Sequence, residues 1–163
     1  MLDAGSRFPN ATLYEFTDFG DACPIAPRTV NVTEALSGKR VVIFGLPGAF
    51  TATCSSRHLP GYRDHYDALK AKGIDEVWCV SVNDGAVMAA WGREHDAIGK
   101  VRMLGDGDAE LTRKLGLDVQ IPGMGTRMAR CAMLVEDGVL SGLWVEQPRG
   151  FEVSSAEAML ARL

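Results

Sequence analysis

The chain has 163 residues, 47% of them apolar, which is the size of one domain with one sizeable core and excludes a disordered or fibrous protein. Its 17 Lys and Arg against 21 Asp and Glu give a formal charge of -4, so no electrostatic attraction to nucleic acid or anionic lipid is expected. Four cysteines, at positions 23, 54, 79 and 131, are too sparse for a secreted disulfide framework and form no C-x-x-C pair, which excludes a zinc ribbon and a dithiol motif.

Residues 11 to 16 (ATLYEF) predict a short entry strand, and Thr33 to Leu36 one helical turn ahead of Ser37-Gly38. Arg40 to Leu46 (RVVIFGL) is a β-branched apolar run of the kind buried on both faces of a central strand, ending at Pro47-Gly48. From Thr53 to Lys72 the spacing of Leu59, Tyr62, Tyr66 and Leu69 predicts one helix, kinked at Pro60-Gly61 and closed by Gly73. Val77 to Val82 is a second buried strand. Asn83-Asp84-Gly85 then leads into a helix with Val87, Met88 and Trp91 on one side. Val101 to Leu104 reads as a third strand, Leu111 and Leu115 as a short helix, and 116 to 126 as a Gly-rich loop. Met128 to Val135 and Val139 to Val145 flank Glu136-Asp137-Gly138, the strongest hairpin signal in the chain. Ser154-x-x-Glu157 reads as a capping box opening a last amphipathic helix with Met159, Leu160 and Leu163. Strands alternating with helices and closing in a hairpin predict a single α/β domain over residues 1–163, with a central mixed sheet flanked by helices in a thioredoxin-like layout.

No apolar run approaches the ~20 residues needed to span a bilayer. The N-terminus MLDAGSRFPN shows no basic start followed by an apolar stretch. A cytoplasmic protein is expected, with no membrane or nucleic-acid partner, in a compartment where a cysteine is more readily reactive than bridged.

The chemistry concentrates in Pro47-Gly-Ala-Phe-Thr51-Ala-Thr53-Cys54, which sets a cysteine in the first turn of a helix directly after a buried strand. Unpaired backbone N–H groups and the positive end of the helix favour an anion there. Position alone leaves a second reading open, a small buried cysteine beside a capping threonine. Thiol acidity cannot by itself make a fast catalyst: lowering a thiol pKa from ~8.5 to ~6 raises the thiolate fraction at pH 7 about 30-fold. A Brønsted slope of ~0.4–0.5 returns about 13-fold of that in lost nucleophilicity. Most acceleration must come from donors that align the electrophile and stabilise charge on the leaving atom. The Thr51 hydroxyl, the backbone N–H groups of Thr53 and Cys54, and a cation are the candidates.

This loop, within VVIFGLPGAFTATCSSRHLPGY, resembles the active-site loop of peroxiredoxins, in particular the peroxiredoxin 5 or type II branch. VWCVSVNDGAVMAAW, LGDGDAELT, GTRMARCAMLVEDGV and FEVSSAEAML resemble the same branch in the same order, from near residue 3 to the end. The resemblance implies a thiol peroxidase that reduces hydrogen peroxide and organic hydroperoxides without metal, haem or flavin, and commonly a homodimer. It implies that Cys54 is the peroxidatic cysteine, oxidised to a sulfenic acid, that Pro47 shields it, and that Thr51 hydrogen-bonds sulfur and peroxide. It carries the cation onto Arg130, whose guanidinium offers fixed donors and stays charged, although Arg127 lies in the same block.

Three positions depart from the family pattern. Ala52 replaces a loop proline, Cys131 stands where an aromatic is usual, and Ser154 and Ser155 occupy a region where some members carry a resolving cysteine. Plant type II members resemble this chain in a cysteine 25 residues on, here Cys79, which is either a resolving thiol or a buried core residue. Without an internal resolver, the sulfenic acid is recycled by glutathione and glutaredoxin, the favoured reductant, or by thioredoxin. Cys23 and Cys131 receive no role. A sensor that uses Cys54 oxidation as a signal is the alternative to turnover. His58, His65 and His95 share no metal-ligand spacing and read as core or surface histidines. Asp106-Gly-Asp-x-Glu110 reads as a turn, not a calcium loop, since the twelfth position is Leu117. Leu117, Ile121 and Met124 are candidates for an apolar mouth or for packing. A phosphate loop is excluded by the absence of G-K-[ST] and G-x-G-x-x-G.

Overall fold

The alternating strands and helices assemble into a seven-stranded mixed sheet in the computed structural model, which describes residues 1–163. Its strands are β1 (Thr12–Phe19), β2 (Pro24–Asn31), β3 (Arg40–Gly45), β4 (Glu76–Ser81), β5 (Val101–Gly105), β8 (Cys131–Glu136) and β9 (Val139–Val145), in the order β2-β1-β5-β4-β3-β8-β9. β3, β4 and β5 run parallel in the centre, and antiparallel pairs flank them on both sides. The helices are α1 (Val32–Leu36), α2 (Leu59–Asp64), α3 (Tyr66–Ala71), α4 (Gly85–Glu94), α5 (Glu110–Leu115) and α6 (Ala156–Leu160). No helix is long and apolar enough to cross a membrane.

Strand alternation divides the core in two. Val41 and Ile43 of β3, Trp78 and Val80 of β4, and Cys131 and Met133 of β8 face the side covered by α1 and α5. Val42, Phe44, Val77, Cys79, Ala132 and Leu134 face the other side, where Cys54, Leu59, Tyr62, Leu69 and Trp91 pack on them. Phe44 stacks on Tyr62 with ring centroids 4.1 Å apart and planes 4° apart, so the central strand grips the segment that carries Cys54. Such a pair adds ~0.5–1.5 kcal/mol beyond its buried area.

Four expectations change. β2 was not visible in the sequence because PIAPRTVN has two prolines and no alternation; it is an outer strand, mostly exposed, where missing N–H donors are tolerated. The Gly-rich loop contains a second, two-stranded sheet, β6 (Asp118–Ile121) with β7 (Gly125–Met128), so β8 begins at Cys131 and not at Met128. The single helix from Thr53 to Lys72 is three pieces: a π-helical turn over Cys54–His58, then α2, then α3 after a break at His65. Pro60 lacks the N–H that would bond Ser56, and its ring crowds that carbonyl, so Leu59 N–H reaches back five residues to Cys54. Finally, the cap of α6 is Ser155, whose hydroxyl accepts from Ala158 N–H at 3.1 Å, while Ser154 is buried. The hairpin turn is as expected: Asp137 and Gly138 have φ of 46° and 75°, the twist that matches the flanking strands.

Candidate functional site

Two hydrogen bonds hold the loop after β3. Ala49 N–H donates to Asn83 Oδ1 at 3.0 Å, and Thr51 Oγ1–H donates to Gly48 C=O at 2.7 Å. The first helical bond is Ser55 N–H to Thr51 C=O, 2.9 Å, and the Thr53 and Cys54 amides stand ahead of it as the free donors of a helix start. Cys54 follows, wholly buried.

Arg130, at the entry to β8, brings its Nη2 to 3.3 Å from Cys54 Sγ. Its Nη1 donates to His58 Nδ1 at 3.0 Å. That fixes the tautomer, because the other ring nitrogen, Nε2, then carries the proton and donates to Ser154 C=O at 3.0 Å. Burial, and secondarily the Arg130 charge, hold His58 down to about 3, so it is neutral at any ordinary pH. A neutral acceptor is what a cation on its Nδ1 requires. Ser154 C=O also accepts from Tyr62 Oη at 2.8 Å. Its segment is clamped by Glu146, whose Oε1 accepts from the amides of Glu152, Val153 and Ser154 and from the Ser154 hydroxyl at 2.7–2.8 Å. These bonds hold the Glu146 carboxyl below its ordinary range despite its partial burial. A chain of contacts therefore runs from Glu146 through the 152–154 backbone and His58 to the guanidinium on the sulfur. Phe151 adds a wall, with its ring 5.2 Å from His58 and 5.9 Å from the Arg130 head.

Arg127, the rival cation, is directed elsewhere: it bonds Met124 C=O at 3.0 Å and Pro47 C=O at 3.4 Å, bracing the loop. Pro47, Thr53 and Arg130 form one side of a cavity of about 420 Å³. The thiol lies just behind that side. A water-sized molecule does not touch Cys54 in this conformation. Thr51 makes no bond to the sulfur. Because its proton is committed to Gly48, its oxygen is left as an acceptor.

The other cysteines separate by face. Cys79 shares the apolar cluster of Cys54 and is free and wholly buried; burial, with Cys54 nearby, pushes its thiol well above the usual range. Cys131 lies on the opposite side of the sheet against Gly45, where a Cβ would collide with it and with Met128, and burial pushes it up to about 12. A small residue fits there. Cys23 is exposed. Ile121 lines the cavity, whereas Leu117 is core. His65 and His95 stay outside the site. The sequence reading missed the part played by His58; its signal was the four-residue spacing from Cys54, which puts both on one helix face.

The neutral state of His58 has a consequence for stability. Unfolded, it titrates near its ordinary 6.5; folded, it does so at about 3, so between those values the unfolded chain binds the extra proton. Stability from this group is complete above pH 6.5 and falls as pH drops toward 3. Urea unfolding is expected to show a loss of about 2 kcal/mol between pH 7.5 and pH 5 from this residue, absent in His58→Gln. Equal pH slopes for both proteins would show that His58 is not the buried neutral base.

The fold and the cysteine–guanidinium pair define a thioredoxin-like thiol redox protein. Residues 3–160 match the model of the Redoxin family. The chain is 44% identical to "Peroxiredoxin-2E-2, chloroplastic" of Oryza sativa over 99% of its own length and 72% of that protein. It is 40% identical to "Peroxiredoxin-2B" of Arabidopsis thaliana over 99% of itself and 98% of that protein. Reduced Prx3 of Vibrio vulnificus, solved in complex with hydrogen peroxide, superposes with a TM-score of 0.92 at 46% identity and covers 99% of both chains. The chain belongs to the Redoxin family, as a type II peroxiredoxin, a thiol-dependent peroxidase.

Proposed function

We propose that Cys54 is the peroxidatic cysteine, on the observation that Arg130 Nη2 stands 3.3 Å from its sulfur. The thiolate attacks the terminal oxygen of a hydroperoxide, an S–O bond forms as the O–O bond breaks, and sulfur gives up two electrons. The leaving oxygen departs as hydroxide or alkoxide and takes a proton from water. Arg130 and the Thr53 and Cys54 amides hold the charge that passes to it, and Thr51 Oγ1 accepts from the peroxide O–H. Pro47 closes the loop over the sulfur.

The sulfenic acid is recycled from outside, by glutathione and glutaredoxin in preference to thioredoxin. The strand pairing of Cys79 supports this: β4 is bonded on both sides, to β3 and to β5, so bridging falls entirely to movement of the Cys54 turn. A disulfide needs Cα atoms within about 7 Å and aligned Cβ vectors. Position 154 offers a hydroxyl committed to Glu146 and no thiol. The enzyme is read as a cytoplasmic homodimer on its family likeness and low cysteine density.

Intact mass after one equivalent of peroxide, without reductant, tests the route. The expected product is a gain of one oxygen, in wild type and in Cys79→Ser alike, with turnover restored by glutathione and glutaredoxin. Loss of two hydrogens in wild type, abolished in Cys79→Ser, would establish the internal disulfide instead.

A further inference from the structure

The cavity beside Cys54 carries a cation that peroxide cleavage does not use. Arg130 lines it and is directed at the sulfur. Glu146 also lines it, but Oε1 of that carboxylate is saturated by three amides and a hydroxyl. Arg149 also lines it, exposed, with no hydrogen bond or ion pair from its side chain. Val119, Ile121 and Pro148 give the same cavity apolar lining; Val119 is a large apolar side chain left 37% exposed.

The backbone at Arg149 is unusual for that residue. Gly150 N–H bonds Gln147 C=O at 2.8 Å, closing a turn with Pro148 second and Arg149 third. Arg149 has a φ of 66°. Proline followed by positive φ is a type II turn, whose third position favours glycine, because a Cβ is strained there. The chain instead presents the longest cationic side chain at that corner, beside a cavity. Strain held at the edge of a reactive site points to a function for the strained residue.

Volume bears on the same question. A water molecule occupies about 30 Å³ of liquid, so a cavity of about 420 Å³ is far larger than hydrogen peroxide needs. We propose that it binds organic hydroperoxides that carry a carboxylate: the peroxide end meets Cys54 and Arg130, the hydrocarbon lies along Val119, Ile121 and Pro148, and the carboxylate pairs with Arg149. This rests on Cys54 being the peroxide-reducing sulfur. The reaction is the one already written: sulfur takes the terminal oxygen, the substrate leaves as the hydroxy acid, and an added thiol later reduces the sulfenic acid.

The test compares a straight-chain hydroperoxyoctanoic acid with its methyl ester, in single-turnover oxidation of Cys54. The two share the peroxide and the chain and differ in one charge. Wild type is expected to react about 3- to 5-fold faster with the acid, the size of one exposed ion pair, although the net charge of -4 repels it. The preference falls with added salt. Arg149→Gly removes the cation and suits the turn, so it folds; its acid-to-ester ratio is expected to fall to one or below, and Arg149→Lys to keep most of the preference. Equal rates for acid and ester in wild type, or a preference that survives in Arg149→Gly, overturns the proposal. Failure of hydrogen peroxide to oxidise wild-type Cys54 would remove the peroxidase assignment itself, a separate outcome.

Discussion

Cys54→Ser is expected to reduce peroxide turnover by roughly 10⁴-fold or more, the scale seen when a nucleophile is removed. A serine hydroxyl is un-ionised at neutral pH and cannot accept and release an oxygen atom as sulfur does. No other thiol in the chain can take over. Cys131 faces away and is pushed up to about 12, Cys79 is held well above the usual thiol range by burial, and the Arg130 guanidinium bonds the sulfur of Cys54 alone. The measurement is peroxide consumption with excess dithiol, with circular dichroism to show that the variant is folded. Residual turnover within tenfold of wild type would mean that the chemistry is elsewhere.

Arg130→Ala is expected to slow the oxidation of Cys54 by about 10²–10³-fold, the effect of removing a donor aimed at developing charge. Arg130→Lys is expected to recover only part of it. An ammonium is one point of charge, and the guanidinium serves two partners at once, Nη2 on Cys54 and Nη1 on His58. The Ala variant also leaves His58 Nδ1 buried without a donor, at a cost of about 1–3 kcal/mol. Stopped-flow oxidation rates and urea unfolding together separate the two effects. A rate within a few-fold of wild type would remove Arg130 from the reaction.

The reactive loop and the central strands were legible because their signals are local. RVVIFGL is apolar on both faces, Cys54 follows it at a helix start, and Asp137-Gly138 supplies the two positive φ values that a tight hairpin needs. Segments whose conformation is set by distant partners were not legible. β2 is a strand because β1 offers it a pairing edge, despite Pro24 and Pro27. The widened turn at Cys54–His58 depends on what Pro60 withholds. Ser154 and Ser155 are interchangeable as caps in the sequence. Burial of Ser154 against Glu146 is what shifts the cap by one residue. Arg130 was found by resemblance to a family pattern, and no pattern of charge or spacing indicated that Glu146 steadies the segment holding His58.

That linkage spans the chain. His58 meets its anchoring carbonyl across 96 residues, and Cys54 its guanidinium across 76. During synthesis the sulfur leaves the ribosome long before either partner exists, and the final strand and the turn behind it complete the pocket. A nascent chain that ends before residue 130 therefore carries Cys54 without its guanidinium partner, and the contact forms only once that strand has been made.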